Sequence, residues 1–324
     1  MHHATNHADG STRRAFLKQA AAAGLGAATW SLAGNRAPCV AAENGRPEMP
    51  FKFAKCNETF VGWPFRKVCQ FVADCGYTGL EIAPFTIETY VTDVPPRRRA
   101  RLRRQMEDAG LECAGLHWLL AKTEGLHLTH PDPEIRKRTG EYLAELGRFC
   151  ADLGGDIMIF GSPQQRNLMD GVSREQGMEY AADVFRSIMP VLEDRGVILA
   201  LEPLGDETNF FPYAADAVEL AERVDSPCCK MMLDVKAMVH EADSMPTLIR
   251  RYKSWMTHFH ANDPNLRGPG MGDLDFMPIF EALFDIEFDR WVSVEVFDYT
   301  PGAEALAKES IAYMRECVAK LQSA

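Results

Sequence analysis

From Phe51 onward the chain alternates eight times between a short β-rich run and a helical pattern, and this beat limits the fold more than any other feature. The runs fall at 51–57 (FKFAKCN), 78–85 (TGLEIAPF), 112–120 (ECAGLHWLL), 156–162 (DIMIFGS), 197–204 (VILALEPL), 229–235 (CKMMLDV), 256–263 (MTHFHAND) and 291–298 (WVSVEVFD). Between them apolar residues recur with the 3.6-residue period of amphipathic helices, for example over 134–153, 174–193, 214–224 and 303–321. Gly76, Gly110, Gly154, Gly155 and Gly196 punctuate the junctions. A helix after every strand returns the chain to the start of the next one, so the strands must run parallel. Eight such units over roughly 270 residues predict an α/β fold of the closed (β/α)8 TIM-barrel type in a single domain. A doubly wound open sheet is the competitor, but no GxGxxG follows the first strand. There is no internal repeat and no interdomain linker.

The segment ahead of the barrel reads as an address. Thr12-Arg13-Arg14-Ala15-Phe16-Leu17-Lys18 precedes an Ala-rich apolar stretch over 20–33, and Val40-Ala41-Ala42 offers small residues at a cleavage site. A charged start, a short apolar middle and a small-residue end make an export signal, and the paired arginines point to the twin-arginine type. The expected division is therefore an export signal over 1–42 and a catalytic domain over 43–324, with a periplasmic or otherwise exported location. No later stretch is apolar for long enough to span a bilayer, so no stable membrane anchor is expected after cleavage. The whole chain carries a formal charge of −11. Loss of the basic leader makes the remainder still more acidic, which argues against a nucleic-acid partner. The eight cysteines outside the leader form no CxxC pair and no His/Cys cluster with zinc spacing; buried free thiols are expected, as for Cys113 and Cys150.

In a (β/α)8 barrel the site forms where the strands end, so polar residues in otherwise apolar strand ends carry the information. Four successive strands supply one each: Glu202 in LEPL, Asp234 in MLDV, His260 in HFHAND and Glu295 in SVEVFD. Singly, each has an ordinary explanation as a cap or an ion pair. Together they converge, and three converging carboxylates need a cation, because desolvating an unpaired charge is costly. Three carboxylates and an imidazole suit one divalent ion, Mn²⁺ first, with Mg²⁺, Co²⁺ and Zn²⁺ as alternatives.

These segments, with Pro269-Gly270-Met271-Gly272, resemble the xylose isomerase-like TIM-barrel superfamily. The likeness is to its sugar isomerase/epimerase branch, which includes tagatose 3-epimerase-like and hydroxypyruvate isomerase-like enzymes. The resemblance implies metal ligation by Glu202, Asp234, His260 and Glu295, with Glu202 and Glu295 also moving protons. The chemistry of the residues agrees. Removing a weakly acidic C–H proton beside a carbonyl gives an enediolate, which a cation stabilises. A base on one face and an acid on the other then decide the product.

The resemblance also implies substrate contacts from His117 at the third strand end and Arg267 in the loop after His260. Glu58, Glu81, Gln164 and Arg166 are further candidates to line the pocket. Residues two apart on a strand share a face, so His258 is expected deeper on the same side as His260, supporting the metal ligands. Trp118 reads equally as barrel packing. Two departures from the ketose 3-epimerase pattern concern the substrate pocket. Ala237 stands where those enzymes show a His three residues after the metal Asp, and the loop over 205–209 is one residue shorter. Lys236 and His240 are candidates to compensate, although the surface is the usual place for both.

The leading expectation is a divalent-metal-dependent isomerase or epimerase of a free sugar or keto-sugar. The alternatives are a lyase acting on a 3-keto-glycoside at the same site, an endonuclease IV-like nuclease, and a sugar-binding protein that uses the metal as a handle. The nuclease lacks its extra ligands and basic face, and intact Glu202 and Glu295 argue against simple binding. A homo-oligomer is left open.

Overall fold

The computed structural model describes residues 50–323; residues 1–42, expected above to be an export signal, lie outside them. Eight strands close into one parallel barrel in chain order. They are β1 (Lys52–Cys56), β2 (Gly79–Ile82), β3 (Glu112–Leu116), β4 (Ile157–Phe160), β5 (Ile198–Leu201), β6 (Cys229–Asp234), β7 (Met256–Ala261) and β8 (Trp291–Val294). The helices are α1 (Phe65–Cys75), α2 (Pro96–Asp108), α3 (Pro133–Leu153), α4 (Arg174–Arg195), α5 (Ala214–Val224), the single turn α6 (Val235–Met238), α7 (Met245–Arg251), α8 (Met277–Asp285) and α9 (Ala303–Ser323). All eight expected runs overshoot their strands at the C-terminal end. There the backbone leaves the ladder for short 3₁₀ turns such as Asn57–Phe60 and Pro84–Thr86, where the site is built.

Local chemistry explains the helix limits. Asp132 caps α3 through the Glu134 N–H, and Ser173 with Gln176 forms a reciprocal capping box on α4. Gly76, Gly154 and Gly196 end α1, α3 and α4 in the left-handed conformation. The apolar helix faces pack against the outside of the barrel in one continuous core.

Inside the barrel the period-2 rule sorts the side chains into layers. Ala54, Ala114 and Trp291 form one apolar cluster, and Ile157, Ile159, Ala200 and Met232 form another. Two residues further along β5, β6 and β8 come Glu202, Asp234 and, beyond Ser293, Glu295. The change from apolar floor to polar top is therefore written into each strand as a two-residue step. The β2–β3 register shifts between Leu80 and Glu81, opposite Gly115 at φ 139°. A side chain at Gly115 would press on the Ile157 carbonyl at 2.7 Å. Among the described residues no helix is long and apolar enough to cross a membrane, and the eight cysteines are free.

Candidate metal centre and active site

The barrel register brings Asp234 of β6 beside His260 of β7, and His260 beside Ser293 of β8. Glu202 and Glu295 stand one residue past the ends of β5 and β8. One ligand atom from each of Glu202, Asp234, His260 and Glu295 lies within 4.8 Å of the others, and all four side chains are buried. The His260 ring nitrogen Nδ1 faces Glu295 Oε2 at 2.9 Å, Glu202 Oε1 at 3.2 Å and Asp234 Oδ2 at 3.6 Å. One nitrogen carries at most one proton and cannot satisfy three carboxylates. Glu295 Oε2 is buried without a hydrogen-bond partner despite that closeness, because the alignment is poor. A crowded nitrogen, an orphaned carboxylate oxygen and a three-oxygen, one-nitrogen donor set fit a divalent cation. Gly161 at the end of β4 makes room for this arrangement, since a Cβ there would sit 2.2 Å from Glu202 Oε2.

Charge follows the same logic. Burial works against a charged His260, but Glu295 and Glu81 outweigh it and hold its pKa well above the ordinary imidazole value. The carboxylates thus favour positive charge at the place where a cation would bind. Burial also raises Glu295, with the neighbouring charge of Glu202 adding to it and His260 opposing. For Asp234 the burial effect is overcome by His260, Lys236 and Asn262, and its pKa is lowered.

Each of the four is held from behind. Trp118 donates its indole N–H to Glu295 Oε1 at 2.7 Å. Asn262 donates to both oxygens of Asp234, at 3.2 and 3.1 Å, and Asp234 Oδ1 also accepts from the backbone of Lys236 at 2.6 Å, capping α6. Arg166 is fully buried and clamps the Glu202 carbonyl at 2.6 Å while lying 3.6 Å over the Phe211 ring. His260 Nε2 meets Glu81 Oε1 at 3.0 Å, which leaves Nδ1 turned toward the carboxylates.

Beneath the ligands lies a second polar layer. Glu81 Oε2 meets His258 Nε2 at 2.8 Å, and His117 stands between Glu81 (3.4 Å) and Glu58 (2.9 Å). Burial works against charge on Glu81, but His258 and His260 overcome it and drive its pKa well down. Lys55, also buried, donates to Thr59 and to the Val294 carbonyl at 2.9 Å, fastening β1 to β8 just before Glu295.

A cavity of about 310 Å³ opens above Glu202 and Glu295, walled by Trp118, Phe297, Lys236 and Gln164. The sequence expectations sort cleanly against it. Glu202, Asp234, His260 and Glu295 come together, His258 sits deeper as expected, and Gln164 lines the cavity. His117, Glu58 and Glu81 do not reach it, because Glu81 is engaged by His258 and His260, and Glu58 by His117, below. Arg166 is spent on the β5 backbone. Arg267 is held by Asp298 at 2.8 Å and by Thr300, away from the cavity wall. Lys236 is not at the surface: it is buried, paired with Glu207 at 2.5 Å and set 3.8 Å over Phe297. His240 is exposed and paired with Asp206. The part of Trp118 escaped sequence reasoning. Its backbone at φ 51° is rare for so large a residue, a strain that no side-chain pattern announces. Asn262 had a signal, a polar residue two past His260 on the same face.

A family model described as "Xylose isomerase-like TIM barrel" matches residues 69–317. A D-psicose 3-epimerase of Agrobacterium fabrum is 33% identical over 242 residues, 71% of this chain and 78% of that protein. A D-psicose 3-epimerase of Ruminiclostridium cellulolyticum is 29% identical over 176 residues, 53% of this chain but only 59% of that relative's length. The crystal structure of a 3-keto-D-glucoside 4-epimerase from E. coli superposes with a TM-score of 0.72 at 18% identity, covering 82% of this chain and all (100%) of that one, a likeness of fold.

Proposed function

The chain belongs to the xylose isomerase-like TIM barrel family, and from that premise we propose that it is a divalent-metal-dependent sugar epimerase or isomerase. One observation carries the reading: Glu202 and Glu295, from opposite ends of the β5–β8 arc, both approach the His260 Nδ1 and both border the cavity. The relatives at 33% and 29% identity are sugar 3-epimerases by name, which supports the same chemistry. Glu202, Asp234, His260 and Glu295 would hold the cation, for which we propose Mn²⁺. When bound, such an ion polarises a carbonyl and offsets the negative charge that develops on its oxygen.

The protein supplies the proton transfers. A carboxylate on one side of the substrate removes the proton beside the carbonyl, giving an enediolate, and the carboxylate on the other side returns one. Glu295, whose pKa is raised by burial and by Glu202, is suited to hold and deliver a proton. Trp118 orients that carboxylate through Oε1. Lys236, which lines the cavity and pairs with Glu207, is our candidate for the donor role that Ala237 cannot fill. A keto-glycoside is the second substrate reading, favoured by the aromatic walls that Trp118 and Phe297 give the cavity; elimination from it would make the protein a lyase. We further propose export, on the Thr12–Lys18 motif; replacing Arg13 and Arg14 by Lys should leave the protein in the cytoplasmic fraction.

The test is proton exchange. The Mn²⁺-loaded protein is incubated in D₂O with a panel of ketoses and 3-keto-glycosides and followed by NMR. Deuterium entering at the carbon beside the carbonyl supports the reading, and loss of an aglycone selects the lyase. No exchange on any substrate that demonstrably binds overturns both.

A further inference from the structure

Just past β5 the main chain of Glu202 has lost half of its ladder. Its N–H still donates to the Phe160 carbonyl of β4 at 3.2 Å. In a parallel ladder the matching donor to its own carbonyl is the N–H of Ser162. Ser162 has already left the strand, with φ 45°. The carbonyl is taken instead by a side chain, Arg166 Nη1 at 2.6 Å, from the loop after β4.

The same guanidinium holds the loop that follows. Nε donates to Thr208 Oγ1 at 3.2 Å and Nη2 to the Phe211 carbonyl at 3.4 Å, with the Phe211 ring centre 3.6 Å away. One rigid, planar fork thus meets three acceptors on both sides of the shortened 205–209 segment, which no neutral amide could span. The choice is costly. Among the described residues two arginines are buried, Arg99 and Arg166. Arg99 pairs with Glu145 at 2.7 Å and Asp152 at 3.0 Å. Arg166 has no carboxylate partner, only two carbonyls, a hydroxyl and a ring. A buried charge without a counter-charge works against stability, so its place calls for a reason beyond packing.

The two proposed proton-transfer groups supply that reason by contrast. Glu295 is aimed at its carboxylate, by the Trp118 N–H. Among the described residues the Glu202 carboxylate meets only His260, at 3.2 Å, itself one of the converging four. The direction of Glu202 is therefore left to its main chain.

We propose that Arg166 is the positioning residue for Glu202, fixing the main chain from which that carboxylate reaches the cation and the substrate. This rests on the epimerase reading above and deepens it by naming what places one of its two carboxylates.

Cation affinity tests this apart from turnover. Arg166→Lys keeps the charge and loses the fork. In calorimetry it should weaken Mn²⁺ binding by about 10–100-fold, the usual cost of losing a group that orients a ligand. In a Glu202→Gln background, which removes the carboxylate being aimed, the same substitution should cost no more than about twofold. On whichever ketose or 3-keto-glycoside exchanges deuterium, at saturating Mn²⁺, Arg166→Lys should lower kcat about tenfold or more and leave KM within about threefold. Thr208→Val removes one acceptor of the fork and should show the same dependence on Glu202 at smaller size; it decides the matter if Arg166→Lys does not fold. Parent-like Mn²⁺ affinity, an unchanged kcat, or an equal loss in both backgrounds overturns the assignment. If the dependence on Glu202 appears and no substrate exchanges, the positioning role stands and the epimerase reading falls. If substrates exchange and that dependence is absent, the positioning role falls and the epimerase reading stands.

Discussion

The two halves of the barrel use the same side chains to opposite ends. On the β5–β8 arc, Glu202, Asp234 and Glu295 converge on a single nitrogen and leave a buried oxygen without a partner. On the β1–β3 arc, Glu58 and Glu81 are buried as deeply, but histidines contact both Glu81 oxygens and Glu58 Oε2. A buried carboxylate is costly until something neutralises it. Where the protein itself supplies the partner, the carboxylate is support; where it does not, the carboxylate is left for a ligand. Glu81 joins the halves, because it orients His260, the one histidine of the converging four.

The widest break in this contrast should come from Glu295→Gln. We expect kcat to fall by about 10²–10⁴ in the exchange assay, the usual worth of a positioned acid or base, with the circular dichroism unchanged. A variant that turns over normally would remove Glu295 from proton transfer. Next is the cation itself. Because binding is confined to the folded arc, Mn²⁺ at a hundred times its Kd should stabilise the protein by about 2.7 kcal/mol, and chelation should reverse this in a thermal melt. Asp234→Ala should abolish the shift.

The support half is sharpened by Glu81. Glu81→Leu should weaken Mn²⁺ binding by about 10–100-fold in calorimetry, because His260 loses the partner that fixes its ring. Glu81→Gln, which keeps an acceptor oxygen for the His260 N–H, should lose far less. Similar affinities for both variants and the parent would show that the lower layer does not tune the site. The smallest effect is expected at the rim. Arg267 already holds Asp298 in a partly exposed pair, so Arg267→Ala should change stability by at most about 1 kcal/mol. It should also leave KM within a few-fold, whereas a large rise in KM would return Arg267 to the substrate.

How far the sequence carried this picture varied along the chain. The helix over 214–224 was read to its last residue, since an amphipathic stripe is a local property. The strand ends were read too long, because Pro84-Phe85 continues the apolar run of β2 yet turns in 3₁₀ geometry. The four converging residues, Glu202, Asp234, His260 and Glu295, were legible because polar residues at successive strand ends break an apolar pattern. Lys236 was not, since its neighbours Glu207 and Phe297 lie on other loops.

By itself the sequence determined the barrel, through eight strand–helix units, and the convergence of Glu202, Asp234, His260 and Glu295, through the two-residue step that carries each inward face from apolar to polar. Both follow from periodicities that a short segment already contains. Tertiary structure alone decided which buried carboxylates are neutralised from within. Glu81 and Glu295 each read as an acidic residue in a β-rich run. What separates them is distance to groups far off in the chain: His258, 177 residues from Glu81, and Trp118, 177 residues from Glu295. A partner at that separation is chosen by the closing of the barrel, and no local pattern encodes it.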